Sequence, residues 1–164
     1  GIFVWQNNSA THLIDGFTAY SNAGAGIEHG AYENAYVYQD LVLLENQKAA
    51  IVSLAQGEPG ESAETQIWQR IRTDQAVLGI SEHALEGETP VRFVDCDFSE
   101  VIVDEIEGEA RSQYDFVDCG LEPEQFDLEG AHGDSRFRVQ RADGSAYELH
   151  GDGTVRDIDG FYEG

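Results

Sequence analysis

The 164-residue chain has no methionine, three prolines, two cysteines and a single lysine, Lys48. Without a Cys-x-x-Cys spacing or a histidine beside either cysteine, a zinc site has no ligand set. No apolar run is long enough to cross a bilayer, so no membrane insertion by this segment is expected. There is no Gly-x-Ser-x-Gly turn, phosphate-binding loop or dinucleotide fingerprint. Basic residues number 9 against 32 acidic ones, a formal charge of −23. A field of that sign repels phosphate backbones, which excludes nucleic acid as a partner. Such acidity with so little lysine matches a halophilic surface kept solvated by carboxylates; a calcium-rich extracellular setting is the other reading. The apolar content of 41% argues against disorder, and the length suffices for one domain with a core. The chain opens at Gly1 with neither a signal peptide nor a visible cap, and is expected to be a piece of a longer secreted protein.

What is present is a repeat. Phe17 falls on Leu41, Asn22 on Asn46 and Ile27 on Ile51, each 24 residues on, and Ile2 precedes Ile27 by 25. A period of this size belongs to a solenoid, whose units bury their apolar faces only by stacking. Leucine-rich and helical repeats lack their signatures here. The recurring runs HLIDGF, YVYQDL, LVLL and FVDCDF are short and β-prone, and Asn, Gly and Ala punctuate them. Asn22 and Asn46 are expected at turns, their amides stacked about 4.8 Å apart along the coil axis. The fold predicted is all-β: a right-handed parallel β-helix of roughly 23–25-residue coils over residues 1–130, with residues 131–164 as a terminal coil or hairpin cap.

The third coil is interrupted by GEPGESAET, read as a loop insertion near residues 56–64, after which IWQRIRTDQAVLGI resumes and Ile80 closes the coil. A helix over 64–78 is the alternative, since Ile67, Ile71 and Leu78 share a helical face. RFVDCDF at 92–98 and DFVDCGL at 115–121 then repeat, with Cys96 and Cys119 separated by 23 residues. Strict alternation puts Val94, Cys96 and Phe98 inward with Val117, Cys119 and Leu121, and Phe93, Asp95 and Asp97 outward. Further on, FRVQRADGSAYELHGDGTV reads as a hairpin followed by a second turn, and Phe161 and Tyr162 either tuck over the final coil or lead onward.

Several residues are candidates for chemistry. Cys96 and Cys119, on adjacent coils, are either a disulfide or a buried pair of free thiols. Asp95 and Asp118, stacked with Asp97 beside them, repel one another unless Ca²⁺ or a screening solvent neutralises them. His12, Tyr36 and Tyr38 are assigned with Asp40 to one outward face, where aromatic rings beside carboxylates suit an extended sugar chain. Glu28 and His29 form a candidate acid/base pair with Asp15 or Asp40, as a glycoside hydrolase or a polysaccharide lyase requires.

LIDGFTAYSNAGAGI, LVLLENQKAAI, FVDCDF and FVDCGL resemble the parallel β-helix repeats of pectate-lyase-like (pectin lyase-like) proteins, over roughly residues 1–130. The first two copies are similar to the β-helix of cell-surface hyaluronidase-related proteins. The resemblance implies an extracellular or cell-surface location and the recognition or cleavage of polysaccharide. Against it stands a structural role in a fibre, an adhesin or a virion surface, with other chains of the same assembly as partners.

Overall fold

The computed structural model describes residues 1–5, 12–30, 36–54, 66–81, 91–108 and 113–163, and most of them lie in short strands. β1 (Ile2–Trp5) precedes a coil made of β2 (His12–Asp15), β3 (Thr18–Tyr20) and β4 (Ala25–Gly30). The next coils carry two strands each: β5 (Tyr36–Leu44) and β6 (Ala49–Leu54), then β7 (Gln66–Arg72) and β8 (Val77–Ser81). They are followed by β9 (Val91–Val94) and β10 (Val103–Gly108), and by β11 (Gln113–Val117) and β12 (Phe126–Asp127). β13 (Arg136–Gln140), β14 (Ala146–His150) and β15 (Val155–Ile158) complete the chain.

Coil stacks on coil in two sheets. A six-stranded sheet runs β1-β4-β6-β8-β10-β12, and a nine-stranded sheet runs β15-β14-β13-β11-β9-β7-β5-β2, with β3 also on β5. Pairing is parallel until β13, where β14 and β15 turn back antiparallel. The chain is a parallel β-solenoid ending in hairpins, as the repeat and the Ala-Asp-Gly-Ser turn predict. Gly144 and Gly153 take left-handed turns there, at φ of 86° and 91°. A helix over 64–78 is not formed, because β7 occupies 66–72; the insertion near 56–64 lies outside the described residues. Among the described residues no helix is long and apolar enough to cross a membrane.

The six-stranded sheet aligns Ile2, Ile27, Ile51, Val77, Val103 and Phe126. Val77 rather than Ile80 therefore closes the third coil; Ile80 pairs with Leu54. In the nine-stranded sheet Tyr38, Trp68, Phe93, Phe116 and Val139 share one register column. Phe93 stacks on Trp68 at 5.7 Å and on Phe116 at 5.1 Å between ring centroids. Each of these large side chains, removed from water, contributes roughly 1.5–3 kcal/mol before the entropy of ordering is counted.

One backbone feature sets which residues enter this core. Gly16, Asp40, Arg70, Asp95 and Asp118 have φ between 52° and 74° and occupy equivalent positions in successive coils. A left-handed residue bends the strand and shifts the side-chain alternation by one. Tyr36 and Tyr38 point inward ahead of Asp40, and Leu41 and Leu43 point inward after it. The same shift puts Phe93 and Phe116 inside with Cys96 and Cys119, and turns Val94 and Val117 away from that cluster, where both nevertheless remain buried. Strict alternation predicts Phe93 outward, and the structure instead places it in the central cluster, while Val94 is buried outside that cluster.

The second bend of each coil carries an amide ladder. Asn22 Nδ2 donates to Asn46 Oδ1 at 2.7 Å, and Asn46 Nδ2 donates to Gln75 Oε1 at 3.2 Å and to the Ala19 carbonyl at 3.3 Å. Ser21 and Glu45, one residue before each Asn, are themselves left-handed. Asn46 is 3% exposed, so its loss strands several polar groups without water. Asn46→Ala is expected to lower stability by about 2–3 kcal/mol, read as a drop in urea midpoint at unchanged slope. An effect below about 0.5 kcal/mol, the scale of an ordinary surface substitution, would show the ladder to be incidental.

Candidate functional site

The left-handed column forms one rim of a groove of about 420 Å³ that crosses the strands along the stacking direction. Its floor is the outward row Gln69, Val94, Val117 and Gln140, one residue from each of β7, β9, β11 and β13. Its rim is Arg70, Asp95, Asp118 and Arg141, each following a floor residue in sequence. Tyr162 supplies the opposite wall.

The two arginines of the rim are already engaged. Arg70 holds Asp40 through both carboxylate oxygens, at 2.7 and 3.0 Å, and Arg141 holds Glu122 at 2.9 Å through each of two nitrogens. Asp95 and Asp118, both exposed, sit between these arginines on adjacent coils. The rim therefore offers a ligand two carboxylates flanked by two fixed cations.

Beneath the Tyr162 wall lies a charged row one position further out along the strands. Arg92, Asp115, Arg138, Glu148 and Arg156 are cross-strand neighbours on β9, β11, β13, β14 and β15. Asp115 receives Arg138 at 2.6 and 2.8 Å and Arg92 at 3.3 Å, and Arg156 reaches Glu148 at 2.6 Å. Like charges are never neighbours in this row, so a face that strand alternation turns outward tolerates being covered. Phe161 lies against the Arg138 guanidinium at 4.3 Å and Tyr162 against that of Arg92 at 5.2 Å. Of the two fates open to the terminal aromatics, the structure contains the tuck.

The remaining candidates separate. Tyr36 and Tyr38 are fully buried, stacked at 4.4 Å, and present no surface to a sugar. The left-handed residue at Asp40 is the reason: ahead of it the aromatic positions face inward. Asp15 and Asp40 are brought together on neighbouring coils, whereas Glu28 lies in the other sheet, 4.0 Å from Lys48. The proposed Glu28–Asp15/Asp40 acid/base set is not assembled. Arg70 holds the Asp40 carboxyl below its ordinary pKa, against a smaller opposing effect of desolvation, which suits an ion pair rather than proton transfer. His12 and His29 belong to β2 and β4, and their side chains lie outside the described residues.

Asp95 and Asp118 do stack as predicted, but Asp97 lies in a separate hollow of about 240 Å³ with Arg72, Asp74 and Glu100. Among the described residues no three His, Cys, Asp or Glu side chains converge as a ligand set. Cys96 and Cys119 are buried free thiols. Both point inward, and each donates to main-chain carbonyls at 3.4–3.8 Å instead of bridging. Burial, with Cys96 alongside, pushes the Cys119 thiol well up, so it is a packing residue rather than a nucleophile.

Arg70, Arg141 and Tyr162 escape a reading based on acids and aromatic runs. A signal exists in retrospect: YQDL, WQRI, FVDC and FVDC place the rim residue two after each core aromatic. Comparison of the chain with protein-family models, with curated proteins and with solved structures yields no match.

The rim also generates a pH dependence. Asp40 is held low by Arg70, and Glu122 by Arg141. Burial of Glu148 opposes its ionisation, but Arg156, His150 and Arg136 outweigh it and hold that carboxyl low as well. A depressed folded pKa contributes stability that is fully present above the unfolded value of about 4 and is lost as pH falls through the folded value. Asp104, raised by burial and by Asp127 and Glu129, acts in the opposite sense. The expected urea midpoint is level from pH 7 to 5 and falls below about pH 4, with a shallower fall in Glu148→Gln. A midpoint that rises continuously towards pH 3 would overturn this assignment.

Proposed function

We propose that the chain is an extracellular or cell-surface carbohydrate-binding β-solenoid, and that an extended polysaccharide lies in the groove along the stacking direction. The observation that carries this reading is the combination of wall, floor and rim. The Tyr162 ring offers apolar surface to a sugar ring above a floor of two buried valines, while Gln69, Asp95 and Asp118 offer hydroxyl partners from successive coils. Coils about 4.8 Å apart repeat these contacts at a spacing comparable to one sugar unit. The reading is one of binding, since the acid/base set expected from sequence is divided between the sheets.

Net charge sets the preference. A chain at −23 with two carboxylates on the groove rim favours neutral glycans over uronate polymers, and a divalent cation between Asp95 and Asp118 is the route by which a polyanion would be held. A structural or adhesive role is favoured by a different feature. β2 is one edge of the nine-stranded sheet, and Leu13 and Tyr20 on β2 and β3 are 65% and 61% exposed. Sedimentation against concentration separates that reading, which requires self-association.

Titration calorimetry with cellohexaose and with oligogalacturonate, in EDTA and in millimolar Ca²⁺ at constant ionic strength, tests the proposal. Cellohexaose is expected to bind in EDTA and to weaken by about tenfold in Asp95→Asn/Asp118→Asn, the loss of roughly one charged hydrogen bond. Oligogalacturonate is expected to bind only with Ca²⁺. No binding by either sugar in either buffer would refute the reading.

A further inference from the structure

The Tyr162 wall is held by one side chain. Gln140 Oε1 accepts from the Phe161 N–H at 2.8 Å and from the Tyr162 N–H at 3.0 Å, while its Nε2 donates to the Tyr162 carbonyl at 3.0 Å. A single amide thereby supplies to residues 161–162 both the donor and the acceptor that a neighbouring strand would supply. A carboxamide carries its N–H donor and C=O acceptor side by side, as a peptide group does, and Gln has a longer reach than Asn. Gly160 allows this approach: a Cβ there would lie 3.1 Å from the Gly144 carbonyl oxygen and 3.3 Å from Gln140 Oε1. From the other side, Arg92 rests on the Tyr162 ring at 5.2 Å, and Arg92 is itself held by Asp115.

We infer that Gln140 is a positioning residue for the groove: by latching residues 161–162 it fixes Tyr162 as the wall on which a ligand ring packs. Docking of the C-terminal segment and affinity for an extended glycan are then one equilibrium. The affinity half of this inference rests on the carbohydrate reading above; the docking half does not. Without the latch, residues 161–162 keep the two aromatic–guanidinium contacts, which are weak where solvent reaches them. The coils beneath, closed by strand pairing, are unaffected.

The test compares Gln140→Met, Tyr162→Ala and Tyr162→Phe with the unaltered full chain by residue-resolved amide exchange and by cellohexaose titration. Gln140→Met keeps the length of the side chain and loses all three hydrogen bonds. In the unaltered chain the Phe161 and Tyr162 amides are expected to exchange at least tenfold more slowly than freely exposed amides. Gln140→Met is expected to abolish that protection while Tyr147 and Leu149 on β14 keep theirs, a pattern that general destabilisation would not produce. Cellohexaose affinity is expected to fall on the order of tenfold in Gln140→Met and Tyr162→Ala and to be retained in Tyr162→Phe, which keeps the ring. Retained protection in Gln140→Met, or lost protection with unchanged affinity, would overturn the inference. If the unaltered chain does not bind cellohexaose, the affinity half fails with the carbohydrate reading, and amide exchange alone decides the docking half.

Discussion

Five successive coils each place one residue in the left-handed region at the same point, and the arrangement of everything around that point follows from it. An L-residue there costs of order 1 kcal/mol unless it is glycine, with Asp and Asn tolerated best. The chain uses Gly16 once and Asp three times; at the fourth non-glycine position, Arg70 is held by both oxygens of Asp40. The bend shifts the alternation, so apolar side chains face inward on both sides of it. One coil can then contribute Tyr38 and Leu41, three residues apart, to the same core. Without the bend, one side of each coil would turn its apolar residues to water.

The same bend makes the groove. Residues before it, Val94 and Val117, form a buried floor, and the exposed bend residues stand beside them as a rim. Stacked parallel coils repeat every side chain about 4.8 Å away, which suits amides and rings and penalises like charges. The chain answers that penalty by alternating sign in the row from Arg92 to Arg156 and by covering part of that row with Phe161 and Tyr162. Alternation lapses at Asp15 and Asp40, at Asp104 and Asp127, and at Asp95 and Asp118, of which the last pair faces the groove.

The coil repeat was legible in sequence because stacking forces equivalent residues to recur: Asn22 over Asn46 and Ile27 over Ile51 are in register in the structure. The terminal hairpin was legible through its turn residues. The inward placement of Tyr36, Tyr38 and Phe93 was not, since strand alternation holds only while φ stays negative and no residue type announces the left-handed bend when Asp and Arg occupy it. Ile80 misled because AVLGI offers two apolar residues to the same role, and register against Ile51 chose Val77. Arg70 and Arg141 were overlooked because their place is defined by the coil rather than by a local motif. Tyr162 was visible only as a residue that tucks or leads onward, and its partner Gln140 lies 22 residues before it.

The most direct measurement of the central claim is the thermal unfolding of Asp118→Gly beside Asp118→Val. Both remove the same carboxylate from the rim and differ in their tolerance of a left-handed backbone. If the bend sets the alternation, Asp118→Gly should unfold at or above the midpoint of the unaltered chain, and Asp118→Val should be less stable than the glycine variant by about 1–2 kcal/mol. Equal midpoints for the two variants would mean that the backbone at this point is free to adopt another conformation, and the account of core and groove would lose its basis.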